Sequence, residues 1–260
     1  MLGSGPVEGG SVKILIRSLL WCLVGAGALQ AQTPDCPCPV TPPPPPLWTG
    51  SGEFSWLATT GNSKTSSLGL GLDVFYKPAP WTFELAFSYL HSSTDSITTA
   101  ERYKGLLSAS RDLTERVDVF VKGAYLRDTF AGLDSLFAIN SGVGYKLFNT
   151  PSQFLRASVG FGYTWENQTI GLDRNYANVA AGLNYKWTFS KTAFFSNDFG
   201  YLLDLADTNN WFINDTAAVT ASLTSVFALK ASWTILYRHE PVPGFKTTDT
   251  TTAVSLVAKF

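Results

Sequence analysis

His91 and His239 are the only two imidazoles in a chain of 260 residues, and each stands beside a group it could work with. His91 is followed by Ser92 and Ser93, and His239 by Glu240. A histidine within hydrogen-bond reach of a serine can act as the base to a nucleophile. Neighbours along an extended strand point to opposite faces, however, so Ser92 does not face His91. Neither Gly-x-Ser-x-Gly nor His-Glu-x-x-His occurs. Cys36 and Cys38 flank a single proline, too few ligands for a metal site and no disulfide framework. Pairs such as Gly69/Gly71 and Gly160/Gly162 never extend to the six-residue glycine pattern that cradles phosphates. No catalytic, cofactor-binding or metal-binding residue is therefore assigned, and the chain reads as not an enzyme.

The remaining chemistry is charge, and its spacing is regular. From Trp48 onward apolar and polar residues alternate with period two. In 154–165, Leu155, Ala157, Val159, Phe161, Tyr163 and Trp165 share one face, against Arg156, Ser158, Gly160, Gly162 and Thr164. On the polar faces of such segments stand the basic residues Arg102, Lys104, Lys122, Lys146, Arg156, Lys186, Lys230, Arg238 and Lys259. The acidic residues there are Glu53, Asp73, Glu84, Asp118, Asp198 and Asp204. A polar face curled inward would make these a charged lumen lining. The excess of basic over acidic members predicts a weak anion preference. The same residues could instead pair with one another and fill the interior as a salt-bridged plug. Glycines at 69, 71, 142, 144, 160, 162 and 182 fit strand curvature, or room for Phe75, Phe120 and Phe194 to pack inward.

Twelve alternating segments position these charges: 48–59, 65–76, 81–91, 100–111, 116–127, 136–147, 153–165, 175–188, 192–204, 213–225, 228–239 and 249–260. Each is about as long as the 9–11 residues of a tilted membrane-spanning strand, or slightly longer. Pro78, Pro80, Pro151, Pro241 and Pro243 all fall between segments, where a sheet tolerates proline. Short connections alternate with longer polar ones, such as Ser92–Thr99, Asp128–Asp134, Glu166–Arg174 and Glu240–Thr248. On the apolar faces, Trp and Tyr gather at segment ends and aliphatic residues in the middles, as at two membrane interfaces. No charge is expected mid-strand on that face. Asn197 and Trp233 depart from the pattern.

Charged residues make up 15% of the chain, against about 25% in soluble domains, and the net charge is −1. That balance excludes a nucleic-acid partner, which needs a basic face. After residue 31 no apolar run approaches the ~20 residues of a spanning helix. Residues 1–31 read as a secretory signal. Lys13 and Arg17 precede the apolar stretch Leu19–Leu29, Ala28 and Ala31 are cleavage candidates, and residues 1–11 read as an upstream extension with Val12 as the initiator. Residues 32–46, with eight prolines between Pro34 and Pro46, read as a stiff polyproline tether.

The chain ends Val254, Leu256, Ala258, Phe260 on alternate positions. A terminal aromatic resembles the sorting signature of outer-membrane barrels, which implies the barrel-assembly machinery as a partner. With Trp48, Thr60-Gly61-Asn62 and the Gly/aromatic alternation up to Phe260, region 47–260 resembles the salt-induced outer membrane protein family, which is named after a domain of unknown function. The resemblance implies an outer-membrane barrel linked to salt or osmotic response and brings no catalytic residues. The expected fold is thus all-β, a transmembrane antiparallel up-and-down β-barrel of about twelve strands, embedded in outer-membrane lipid with both mature termini periplasmic. The expected function is a porin-like channel for small solutes or ions, or an envelope-stabilising protein, without cofactor. A closed structural barrel that binds partners through its loops or tether is the first alternative, and an outer-membrane lipid hydrolase the second.

Overall fold

The computed structural model describes residues 46–59 and 64–260. The predicted signal, the tether up to Pro45 with Cys36 and Cys38, and the Thr60-Gly61-Asn62 motif lie outside the described residues. Twelve strands follow in order: β1 Trp48–Thr59, β2 Thr65–Tyr76, β3 Trp81–Thr94, β4 Ile97–Asp112, β5 Val117–Asp128, β6 Leu133–Asn149, β7 Gln153–Gln168, β8 Arg174–Thr188, β9 Ala193–Asp204, β10 Trp211–Ser222, β11 Phe227–Arg238 and β12 Thr248–Lys259. Each pairs antiparallel with its sequence neighbours, and β12 returns to β1, so the sheet closes into a barrel.

The period-two pattern sets the two faces. Exposed Phe54, Leu70, Leu85, Leu107, Val143, Phe161, Leu183, Leu229 and Leu256 turn outward, forming an apolar wall. Aromatic clusters border it at both ends. Trp48 stacks on Tyr76 at the short-turn end, and at the other Tyr89 packs tilted against Tyr103 and Trp211 against Tyr237. A closed barrel whose exterior is apolar between aromatic borders satisfies its backbone internally and exposes a lipid-compatible face, the requirement for spanning a membrane with strands. The fold is a transmembrane antiparallel barrel of the outer-membrane type.

Following the cross-strand partners once around the barrel returns to β1 displaced by about 16 residues. With ordinary strand spacing, twelve strands at that shear tilt by about 45°.

Two features differ from the sequence expectation. The stretch Ser92–Thr99 is not a loop: β3 and β4 run on to a two-residue turn, Asp95–Ser96, both with positive φ (49° and 67°). Likewise β6 and β7 reach well past their predicted ends, to Leu133 and Gln168. The alternation simply continues beyond the membrane, so the wall itself rises where loops were expected. His239–Thr247 is then the longest described connection at that end.

The barrel is also closed unevenly. β1 pairs with β2 along its whole length, from Trp48↔Tyr76 to Thr59↔Thr65. β12 pairs with β11 from Phe227↔Ala258 to Tyr237↔Thr248. Between β1 and β12 the pairing covers only Ser51↔Lys259, Gly52↔Ala258, Glu53↔Val257 and Phe54↔Leu256, extended by the backbone bonds between Gly50 and Phe260. Beyond Phe54 the two edges part.

Candidate functional site

All fifteen charges predicted for the lumen project to the inner face by the observed register. They divide by depth. Toward the short-turn mouth, Arg156 reaches from β7 past β6 to Asp118 on β5, with Nε–Oδ2 2.8 Å and Nη2–Oδ1 2.5 Å. Its guanidinium lies over Gly144 of β6, where any Cβ would displace it. That glycine serves packing rather than solute space. Lys146 pairs with Asp112 at 2.7 Å, Lys259 donates to Ser222 at 2.8 Å, and Lys186 stands over the Phe194 ring at 4.4 Å.

At mid-height the balance turns acidic. Glu53, Asp73 and Glu84 occupy successive strands, with Asp198 on the facing wall within their field. Lys230 pairs with Glu53 at 2.6 Å, Ser108 donates to Glu84 at 3.1 Å, and Asn184 donates to Asp198 at 2.8 Å. Asp73 accepts no side-chain hydrogen bond among the described residues. Lys122 and Asp198 point inward and are nevertheless exposed, so water reaches this level.

Toward the long-loop mouth the lumen is crossed. Lys104 of β4 donates to Asn214 of β10 at 3.3 Å, between strands on opposite sides of the barrel. Arg102 pairs with Asp128 and reaches Thr251 of β12 at 3.5 Å. Arg238 of β11 grips the fully buried Glu166 of β7 at 2.6 and 2.7 Å. Glu166 also accepts from Gln168 at 2.6 Å and Tyr176 at 3.2 Å. Asp204 accepts from Asn210 at 3.1 Å and caps the β9–β10 connection. Over this network the β11–β12 loop spans the mouth. Val242 is buried beside Gly132, and Phe245 closes on the same residue, whose positive φ (81°) and missing Cβ admit both.

The expected positive surplus disappears here. Asp112, Asp128, Glu166 and Asp249 also face inward, offset by Arg174 alone on the basic side. Their strands extend past the predicted ends, which placed Asp128 and Glu166 in loops. The signal was present: both residues continue the inward parity of their strands.

The lipid face also needs correcting. Asp215, in the middle of β10, points outward, where no charge was expected. It accepts a 2.7 Å hydrogen bond from Nδ2 of Asn197 on β9. The pair accounts for Asn197, which the apolar pattern left without a reason. It lies between the Tyr185–Phe195 contact below and the Tyr201–Trp211 contact above.

The two histidines sit in aromatic borders. His239 stacks on Trp211 at 5.0 Å, with Nδ1 3.2 Å from the Tyr237 hydroxyl. His91 stacks on Tyr89, its Nδ1 buried without a partner. No serine is hydrogen-bonded to either among the described residues.

Comparison with solved structures finds several outer-membrane proteins at low similarity. The NanC porin is 10% identical with a TM-score of 0.45, over 82% of this chain and 97% of that one. An outer membrane channel from Pseudomonas putida F1 is 10% identical with a TM-score of 0.48, over 82% and 95%. The translocator domain of the autotransporter NalP from Neisseria meningitidis is 12% identical with a TM-score of 0.44, over 82% and 86%. Likeness at this level concerns barrel architecture alone. No curated protein matches the sequence. A family model does match, over residues 52–260, nearly the whole barrel. The chain belongs to the family described as protein of unknown function, DUF481.

Proposed function

We propose that this barrel is a narrow, water-filled channel for ions and small solutes in a bacterial outer membrane, constricted at its long-loop mouth. The carrying observation is the mid-lumen belt. Glu53, Asp73, Glu84 and Asp198 face one another with fewer cations than carboxylates, and Lys122 and Asp198 are exposed inside the barrel. Charges that lack partners are stable only in water, because their desolvation in a packed core costs several kcal/mol, of the order found for buried ions. In the orientation that fits this reading, the short turns and both mature termini face the periplasm. Phe260 then serves recognition by the barrel-assembly machinery.

The cross-mouth bonds Lys104–Asn214 and Arg238–Glu166 favour a second reading, a closed barrel with a structural role in the envelope. Planar-bilayer recording of refolded protein separates the two. The channel reading expects discrete small-conductance steps, and their absence together with absent liposome swelling would leave the structural barrel. A link to salt or osmotic response, implied by the family resemblance, predicts slower growth of a deletion strain at high salt, restored by the intact gene.

A further inference from the structure

We propose that the β1–β12 seam is a lateral portal through which the apolar tail of an amphipathic small molecule passes between lumen and lipid. The inference deepens the channel reading and rests on it for a hydrated lumen. Both strands are fully formed and fully paired on their other sides, yet they meet only from Gly50, which is bonded to Phe260, to Phe54. Above Phe54 the wall is parted within the apolar belt, since Trp56 and Val254, which flank the gap, still turn outward with high exposure.

An unpaired strand edge in hydrocarbon leaves backbone donors and acceptors without partners, at several kcal/mol each in order of magnitude. Outward-facing Thr250 and Thr252 interrupt what should be a lipid-facing apolar row on β12, and neither makes a side-chain hydrogen bond among the described residues. These threonines make the parted edge more polar than the rest of the lipid face.

The gap also exposes an apolar group from within. Leu57 has inward parity, paired with Ser67, yet its exposure is 59%. A leucine at that level lines the opening and offers contact to an alkyl chain. The axial way out at this end is crossed by Lys104–Asn214 and Arg238–Glu166 and covered by Val242. A molecule in the lumen thus finds its exit to this side through the wall. The polar head stays with the hydrated interior while the tail follows Leu57 into the bilayer.

The test uses the full chain free of cysteine (Cys22→Ser, Cys36→Ser, Cys38→Ser), in proteoliposomes containing a phospholipid with a diazirine in its acyl chain. Photolabelling is mapped by mass spectrometry, and ion conductance is recorded on the same preparation. The expected result is label on inward Leu57 and Ala253, with none on Leu90, which is inward on β3. Adding Ser55→Cys and Ser255→Cys and oxidising the pair should cut the Leu57 label at least ten-fold, with reduction restoring it and conductance unchanged throughout. Label confined to outward residues in the unstapled protein overturns the portal, as does a Leu57 label indifferent to the staple. Photo-capture of a second copy of the chain at Leu57 also overturns it. Persistent Leu57 labelling without any conductance keeps the portal and removes the channel reading.

Discussion

Phe260 and Gly50 close the barrel by exchanging both backbone hydrogen bonds, at 2.8 and 3.0 Å, while the Phe260 ring occupies the space a Cβ on Gly50 would need. The ring remains 69% exposed on the lipid side. The terminal residue is thus part of the short seam that holds β1 to β12, in addition to being an aromatic signal. Phe260→Ala is expected to lower the amount of assembled, heat-modifiable protein in the outer membrane, with Phe260→Tyr near normal. Gly50→Val should lower it too, by pushing the ring off the seam. Normal levels of both Phe260→Ala and Gly50→Val would remove this role.

Face assignment is tested by neighbours. Leu183 points to lipid, 43% exposed, and Asn184 points inward to Asp198. Leu183→Arg should block insertion, an Arg at the bilayer middle costing about 2–4 kcal/mol. Asn184→Arg should assemble normally, because its guanidinium meets Asp198. Quantifying folded protein by gel mobility compares the two.

Asp118 is buried under the Arg156 fork. Removing one partner of such a pair typically costs about 3–5 kcal/mol. Asp118→Ala should lower the denaturant midpoint in detergent micelles markedly. Arg156→Glu would set two carboxylates together and fail to fold rather than retune selectivity. Charge reversal aimed at selectivity belongs at Lys122, which is exposed and engaged in no ion pair among the described residues.

With the inner face near charge balance and its mid-height belt acidic, the channel should prefer cations weakly, opposite to the sequence expectation. Glu53→Gln, Asp73→Asn and Glu84→Gln combined should move the reversal potential in a salt gradient toward anions. The preference should fade at 1 M salt, where the screening length falls to about 3 Å. An unchanged reversal potential in the triple variant would count against this belt as the selectivity element.

Asn197→Leu should destabilise the barrel by about 1–3 kcal/mol, because Asp215 loses its donor on the lipid face. Asn197→Leu with Asp215→Leu should recover that loss, since an apolar pair needs no partner. Equal stability of all three variants in denaturant titrations would show the pair to be energetically idle.

Strand number and facing were legible because one chemical rule, apolar outward and polar inward, acts on most residues of the wall. It remained legible where it was applied too briefly: Asp128 and Glu166 keep the inward parity of β5 and β7 beyond the membrane-length segments. Partners were not legible. Nothing in spacing tells that Lys104 meets Asn214 110 residues away, or that Asn197 exists for Asp215. Those contacts depend on shear and tilt, which a single strand does not encode. The parted seam is likewise a property of closure, and its trace in the sequence is only the threonine run of β12.

The two-residue turn at Asp95–Ser96 has a practical consequence. With β3 and β4 continuing to its tip, this part of the rim offers a protease or an antibody almost no slack chain. In the proposed orientation, with this rim outside the cell, shaving of intact cells should spare this hairpin, and an epitope tag inserted there would break a ladder rather than extend a loop. The Pro243–Gly244 stretch of the mouth-spanning connection is the better insertion point for surface display, and cutting it would uncap the barrel instead of unfolding it.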